Sequence, residues 1–215
     1  MAWPIWAGIA WEMCRAGFHF RALYTLFMVT TYMRPSEPLG LQKQDLVEPV
    51  GGVSRHWAVI LFPDSRSARS KVYAKNETVD LHNKLAPWLE QLSPTLAKGR
   101  PKDLVFPFSY PEFLTTWRLV MKDFPIKVVP YQARHSGASL DAARENRSRK
   151  EIMDRGRWVT QGSLQRYEKH ARLAASMTQL PRDWARYFEE AATHLEDLFF
   201  GRVAPDAVTR PPVAK

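Results

Sequence analysis

Residues 57–62 read WAVILF, a short apolar run in which valine, isoleucine and aromatic side chains predominate. Such a composition over so few residues is typical of a buried strand. Two further runs, SKVYAKN at 70–76 and ETVDL at 77–81, predict two more strands joined by a turn at Lys75–Asn76. Because strands with short connections pair antiparallel, we expect a small three-stranded antiparallel sheet.

On both sides of these strands the apolar residues recur at helical spacing. The first 33 residues predict one or two packed helices, and Pro35 and Gly40 suit the first turn and the end of a short helix. The later helical patterns cover residues 84–92, 110–124, a segment after Pro130, 147–156, 163–174 and about 182–200. The predicted fold class is therefore mostly α with one small three-stranded antiparallel sheet.

The charge of the chain is strongly basic, with 31 Lys and Arg against 22 Asp and Glu and a net charge of +9. Much of the excess lies in residues 127–172. Such an excess favours a polyanionic partner, most often nucleic acid, and the alternative is a solvated basic face that serves solubility. Cys14 is the single cysteine, which excludes an internal disulfide and suits a reducing compartment. The apolar run at 22–33 is far shorter than the ~20 residues that span a bilayer.

A set of polar and aromatic residues stands out in a fixed order along the chain. Arg34 opens the segment RPSE, the box PYQARHSGAS covers residues 130–139, and a tyrosine follows Trp158 nine residues later. The set consists of Arg34, Lys71 or Lys75, Tyr131, Arg134, Trp158 and Tyr167. Taken singly, each of these residues could be a surface charge or a packing residue, and only their order makes them informative.

This order resembles the catalytic domain of the tyrosine recombinases, the phage-integrase family. In that family the active site combines an Arg in an R-x-S-E segment, a hairpin Lys, an H-x-x-R-H box, a His or Trp, and a Tyr nine residues later. The resemblance covers about residues 5–175. It implies site-specific DNA recombination or integration through a 3′-phosphotyrosine intermediate, with no metal, ATP or other cofactor.

The resemblance also implies a role for each residue. Arg34 and Arg134 would hold the phosphate, since guanidinium groups pair with phosphate oxygens through two parallel hydrogen bonds. Tyr167 would be the nucleophile, and a lysine would protonate the departing 5′-oxygen. The Ser-Lys opening of the second predicted strand favours Lys71 over Lys75.

Three neighbours of these residues receive supporting roles. Trp158 would hold the phosphate or buttress the nucleophile, two roles that are compatible. Glu37 and Asp45 are expected to cap and orient the Arg34 segment, and the reaction gives them no need to bind magnesium. His135 is expected to be structural.

Two departures from the family pattern bear on activity. Tyr131 stands where the family usually has His, and a phenol that titrates near ~10 shuttles protons poorly at neutral pH. The N-terminal core-binding domain of the family is expected to be absent, since the resemblance begins close to Met1. The expected organisation is a catalytic domain at 1–175, followed at 176–215 by an amphipathic helix and a disordered tail.

The expected partner is double-stranded DNA inside the cell, with self-association into a tetrameric synapse on paired sites and no membrane. The helix at 182–200 would either dock on a neighbouring protomer or pack in its own chain. Two other functions stay open. One is relaxation of DNA by a type IB topoisomerase, and the other is a catalytically impaired remnant that only binds DNA.

Overall fold

The computed structural model describes residues 1–61, 77–160 and 170–212 of the chain. Its α-helices are α1 (Trp3–Arg15), α2 (His19–Thr31), α3 (Ser36–Leu39), α4 (Ser93–Ala97), α5 (Tyr110–Met121), α6 (Gln132–Ala143), α7 (Arg149–Gly156), α8 (His170–Thr178) and α9 (Arg182–Phe199). Short 3-10 helices cover Lys43–Asp45 and Pro87–Leu92. The strands are β1 (Leu46–Val47), β2 (Ala58–Leu61) and β3 (Glu77–Asp80).

The strands form an antiparallel sheet of order β1-β2-β3. Val59 at the centre of β2 pairs with Leu46 on one side and with Val79 on the other. The predicted class, mostly α with a small three-stranded antiparallel sheet, is therefore confirmed for the described residues. The third described strand is β1, which the sequence analysis missed because two residues are too few to show a period of two. The predicted strand at 70–76 lies outside the described residues.

The core is built around α1 and α2, which are apolar on most of their faces and consequently buried. Trp6, Trp11 and Tyr24 are among the largest side chains with no exposed surface. A Cβ atom on Gly8 of α1 would overlap the ring of Phe188, so glycine is required where α9 crosses this helix. The helix-rich pattern of the first 33 residues is thus confirmed as two packed helices.

The C-terminal helix α9 packs against α1 of the same chain. Its apolar face is buried there, and the Tyr187 hydroxyl donates a hydrogen bond to Glu12 Oε1. The hydrophobic core contains residues on both sides of the predicted boundary at residue 175, including Leu173 before it and Phe188 after it. Of the two arrangements left open for this helix, the structure contains the one within its own chain.

Residues 201–212, which the sequence analysis expected to be disordered, pack against the core. Val208 is buried, Trp11 Nε1 donates to the Pro205 carbonyl at 2.9 Å, and Arg210 lies 3.5 Å from Glu12. The proline content of the tail suggested disorder, but Trp11 and Glu12 of the folded α1 supply partners for it, and Arg210 also lies 3.5 Å from Asp123. Within the described ranges, no helix combines the length and the apolar character that crossing a bilayer requires.

Candidate phosphate-binding site

The site forms where α6 crosses the end of α2. A Cβ atom on Gly137 would overlap the Val29 carbonyl and the ring of Tyr32, so the two helices can approach this closely only because residue 137 is glycine. Tyr32 adopts a left-handed backbone conformation (φ 54°) that ends α2 and turns the chain toward Arg34. The crossing places Arg134, one helical turn before Gly137, beside this turn.

Three arginines meet at the carboxylate of Glu37. Arg34 Nη1 lies 2.7 Å from Oε1, Arg157 Nη2 lies 2.5 Å from Oε2, and Arg134 Nη1 lies 3.9 Å from the same Oε2. The backbone N–H of Arg34 also donates to Oε2 at 2.6 Å. The expectation that Glu37 orients the Arg34 segment is confirmed by these contacts.

Asp45, which was expected to cap and orient the Arg34 segment, caps the 3-10 helix that follows this segment. Its carboxylate accepts a hydrogen bond from the backbone N–H of Gln42 at 2.8 Å and so caps the 3-10 helix Lys43–Asp45. This hydrogen bond fixes the backbone between α3 and β1, so the Asp45 carboxylate has a structural role.

Arg134 is held rigidly inside the protein. Its side chain is almost fully buried, and its terminal nitrogens donate to the backbone carbonyls of Tyr32 (2.5 Å) and Gly156. Burial, and after it the nearby positive charges of Arg157 and Arg34, lower the pKa of Arg134 to about 10. A group with this pKa is still protonated at neutral pH, so the guanidinium keeps its positive charge.

Trp158 packs against this arginine and against the end of α2. The Arg134 guanidinium carbon lies 5.0 Å from the centre of the indole, and the indole stacks on the Tyr32 ring at 6.2 Å and 21°. A Cβ atom on Gly156 would overlap the indole, so this position also requires glycine. The structure therefore places Trp158 as a buttress of Arg134.

Arg157 is a member of the cluster that the sequence analysis did not single out. It adopts a left-handed conformation (φ 53°) at the end of α7, and its side chain is almost fully buried. Its Nε lies 3.4 Å from the carboxylate of Glu77, the first residue of β3. Burial lowers the pKa of Arg157, and the negative charges of Glu37 and Glu77 oppose that shift. Burial also raises the pKa of the Glu77 carboxyl. The sequence shows that Arg157 is the neighbour of Trp158, but it does not predict that the Arg157 side chain points toward Glu37.

A second buried polar network supports the turn that ends α2. The Tyr32 hydroxyl donates to Asp141 Oδ2, and Arg147 pairs with the same carboxylate while donating to the His82 carbonyl at 2.8 Å. Burial and the negative charge of Asp141 raise the pKa of Tyr32 well above its ordinary value. Tyr32 is therefore a neutral hydrogen-bond donor with a structural role.

Tyr131 and His135 lie at the start of α6, on the more exposed side of the cluster. Tyr131 is 49% exposed and contacts the His135 ring edge to face, with 4.8 Å between ring centres. Burial and the charge of Arg134 lower the pKa of His135 to about 4, so this imidazole is neutral at pH 7. Tyr131 is the more exposed of the two side chains, and its predicted role in contacting a phosphate oxygen stays a prediction.

Lys71, Lys75 and Tyr167 lie outside the described residues, so their predicted roles stay predictions. Leu61 and Glu77, the described residues on either side of 62–76, pair with each other in the sheet. The Glu77 carboxylate contacts Arg157, so this pair lies beside the arginine cluster. Residues 161–169, which include Tyr167, begin three residues after Trp158.

The described part of the cluster is suited to an anion. Three guanidinium groups face the carboxylates of Glu37 and Glu77, so positive charge remains in excess. Arg34 is the most accessible of the three, with 21% of its side chain exposed. Guanidinium groups fixed in this way match the oxygens of a phosphate group.

Comparison with known proteins finds no matching family model, no matching curated protein and no matching solved structure.

Proposed function

We propose that this chain is the catalytic domain of a tyrosine recombinase, which cleaves and rejoins DNA strands through a 3′-phosphotyrosine intermediate during site-specific recombination or integration. One observation carries the proposal. Arg34 and Arg134, selected from distant segments of the sequence for a shared phosphate-binding role, both lie against the carboxylate of Glu37. Trp158, which belongs to the same ordered set, contacts Arg134.

The arrangement suits a reaction in which negative charge develops on phosphate oxygens. Glu37 and the carbonyls of Tyr32 and Gly156 hold the guanidinium groups in place before any substrate arrives. Donors that are already oriented need little reorganisation when charge develops, and such preorganisation is usually the largest electrostatic contribution to catalysis. The accessible Arg34 would make the first contact with the phosphodiester, above the buried Arg134.

The covalent step proposed for Tyr167 is a transesterification. The Tyr167 hydroxyl loses its proton to solvent water as its oxygen attacks phosphorus, the bond to the 5′-oxygen breaks, and Lys71 supplies the proton that the departing oxygen needs. The products are a 3′-phosphotyrosine and a free 5′-hydroxyl. Rejoining reverses the same step with another 5′-hydroxyl, so no nucleotide is hydrolysed. Tyr131 would donate a hydrogen bond to a non-bridging oxygen.

The charge of the chain supports duplex DNA as the substrate. The net charge is +9, and the basic excess is concentrated in the segment 127–172 that also contains Arg134 and Arg157. Neutralising backbone phosphates would supply sequence-independent affinity that decreases as salt increases. Self-association on paired DNA sites belongs to the same proposal.

A nicked suicide duplex tests the proposal, because loss of a short 5′-hydroxyl fragment after cleavage traps the covalent intermediate. We expect the wild-type chain to form a 3′ adduct and Tyr167→Phe to form none while binding DNA equally well. Tyr110→Phe is the matched control, since Tyr110 packs on Phe113 in α5, away from the cluster, and this variant should keep the adduct. An adduct that persists in Tyr167→Phe would exclude Tyr167 as the nucleophile.

One observation favours a second candidate, a DNA-binding remnant without strand transfer. Arg134 has only 1% of its surface exposed, and its terminal nitrogens donate to backbone carbonyls. A phosphate would reach this arginine only if the surrounding groups moved. The same duplex distinguishes the two functions, because the remnant binds DNA in a salt-dependent way and forms no adduct in any variant.

A further inference from the structure

A cluster of two histidines and a glutamate joins three elements away from the arginine cluster. His56 lies just before β2, His82 lies just after β3, and Glu90 lies in the 3-10 helix Pro87–Leu92. His56 Nδ1 is 3.2 Å from each Glu90 carboxylate oxygen, and His82 Nδ1 is 3.5 Å from Oε2. The two imidazole rings stack with 4.2 Å between their centres.

These distances fit a shared metal ion. One ligand atom from each residue lies within 4.8 Å of the other two. Zinc binds imidazole nitrogen at about 2.0–2.1 Å and carboxylate oxygen at about 2.0–2.2 Å, which places ligands of one tetrahedral ion roughly 3–4 Å apart. The observed separations of 3.2 and 3.5 Å from Glu90 lie in this range.

The orientation of the cluster also favours a cation. The Glu90 carboxylate is fixed by a hydrogen bond from the backbone N–H of Trp57 (2.8 Å), the kind of outer contact that orients metal ligands.

The surroundings leave a way in for an ion and a fourth ligand. The His56 and His82 side chains are 40% and 37% exposed, and they border a cavity of about 630 Å³. The cavity wall carries three acidic residues, Asp80, Glu151 and Asp154. The wall also carries the basic residues Lys84, Arg147 and Arg155, of which Arg147 is paired with Asp141 and Arg155 donates to the Thr30 carbonyl.

We propose that His56 Nδ1, His82 Nδ1 and the Glu90 carboxylate bind one Zn²⁺ ion, with the fourth position open to water. The ion would hold the start of β2, the end of β3 and the helix Pro87–Leu92 together, and would thereby stabilise the sheet. The proposal is independent of the DNA reaction proposed above, because it uses none of the residues assigned there.

The test uses untagged protein from which metal has been stripped with a chelator. Calorimetric titration with Zn²⁺ should show one saturable site per chain, and Zn²⁺ should raise the melting temperature in a way that the chelator reverses. Titration with Co²⁺ should produce the intense visible bands of a four-coordinate ion. Loss of a ligand in His56→Gln or Glu90→Gln should weaken binding by at least the ~10- to 100-fold that follows loss of an outer-shell partner.

Two further variants test whether Zn²⁺ binds at these three residues and not elsewhere. His194→Gln, on the exposed side of α9, should bind Zn²⁺ as the wild type does. His82→Cys should keep Co²⁺ binding and add a thiolate-to-metal charge-transfer band that the wild type lacks, since its own cysteine, Cys14, is buried. Absence of a saturable site, binding unchanged in the ligand variants, or absence of the new band in His82→Cys would overturn the proposal.

Discussion

The Arg157 guanidinium and the Glu37 carboxylate lie 2.5 Å apart although 120 residues separate them in the chain. Both side chains are almost fully buried, with 5% and 2% of their surfaces exposed. The same carboxylate contacts Arg34 and Arg134, so it compensates positive charge from three segments at once. Glu37 is therefore the residue on which the arrangement of the cluster depends.

Replacing Glu37 should destabilise the fold. Glu37→Gln preserves the shape of the side chain but leaves buried guanidinium groups without their counter-charge, for which a loss of about 3–5 kcal/mol in unfolding free energy is typical. Urea denaturation followed by circular dichroism measures this loss. The control is Asp103→Asn, which breaks an exposed pair with Arg100 and should cost about 0–1 kcal/mol. Equal small effects in the two variants would show that Glu37 is not needed for the stability of the cluster.

Tyr131 should act as a hydrogen-bond donor in the proposed reaction. Because a hydrogen bond to a charged group contributes about 1.5–3 kcal/mol, Tyr131→Phe should cleave the suicide duplex roughly 10- to 100-fold more slowly. Tyr131→His should equal or exceed the wild type near neutral pH, since an imidazole can donate and also exchange protons. Single-turnover cleavage rates at saturating protein measure both effects. A histidine variant far slower than the wild type would mean that the pocket is adapted to tyrosine.

The C-terminal helix should be required for folding. Phe188 is fully buried against Gly8, so Phe188→Ala should cost about 3–5 kcal/mol in unfolding free energy, and truncation after Ala175 should unfold the protein. The neighbouring control Glu189→Ala lies on the exposed side of α9 and should change stability by no more than ~0.5 kcal/mol. If the truncated chain instead keeps its melting temperature and loses only assembly on paired DNA sites, the helix acts between protomers.

His135 should make the fold sensitive to acid. Its pKa of about 4 lies below the ~6.5 of an unfolded chain, so the unfolded state binds more protons between these values. Stability is therefore complete above pH ~6.5 and decreases as the pH falls toward 4, by at most about 3 kcal/mol from this group.

The variant His135→Gln isolates this contribution from that of the other titrating groups. As the pH falls from 7 to 4.5, the unfolding free energy of this variant should decrease less than that of the wild type, as measured by urea denaturation at each pH. The exposed His194→Gln should show no such trend. Parallel pH profiles for His135→Gln and the wild type would contradict the assignment.

Local sequence was enough to predict most of the helices. The apolar spacing of α5 and α9, the end of α7 at Gly156 and the short helix between Pro35 and Gly40 all depend on residues within one or two helical turns. β2 and β3 were predicted for the same reason, since a short run rich in β-branched and apolar residues is a signal that four or five residues can carry. The motif order identified Arg34, Arg134 and Trp158, which the structure brings together, while the roles of Lys71 and Tyr167 stay predictions.

Tertiary structure decided which distant side chains meet. Arg157 reaches Glu37 only because its backbone turns left-handed and because glycines at 137 and 156 allow close contacts with α2 and with the indole of Trp158. The pairing of His56 and His82 with Glu90, and the packing of residues 201–212 on α1, have the same origin. Periodicity describes the environment of a residue within its own element. The position of a buried charge depends on how helices and strands cross one another. A glycine such as Gly137 can permit a close crossing, and a single glycine produces no periodic pattern in the sequence.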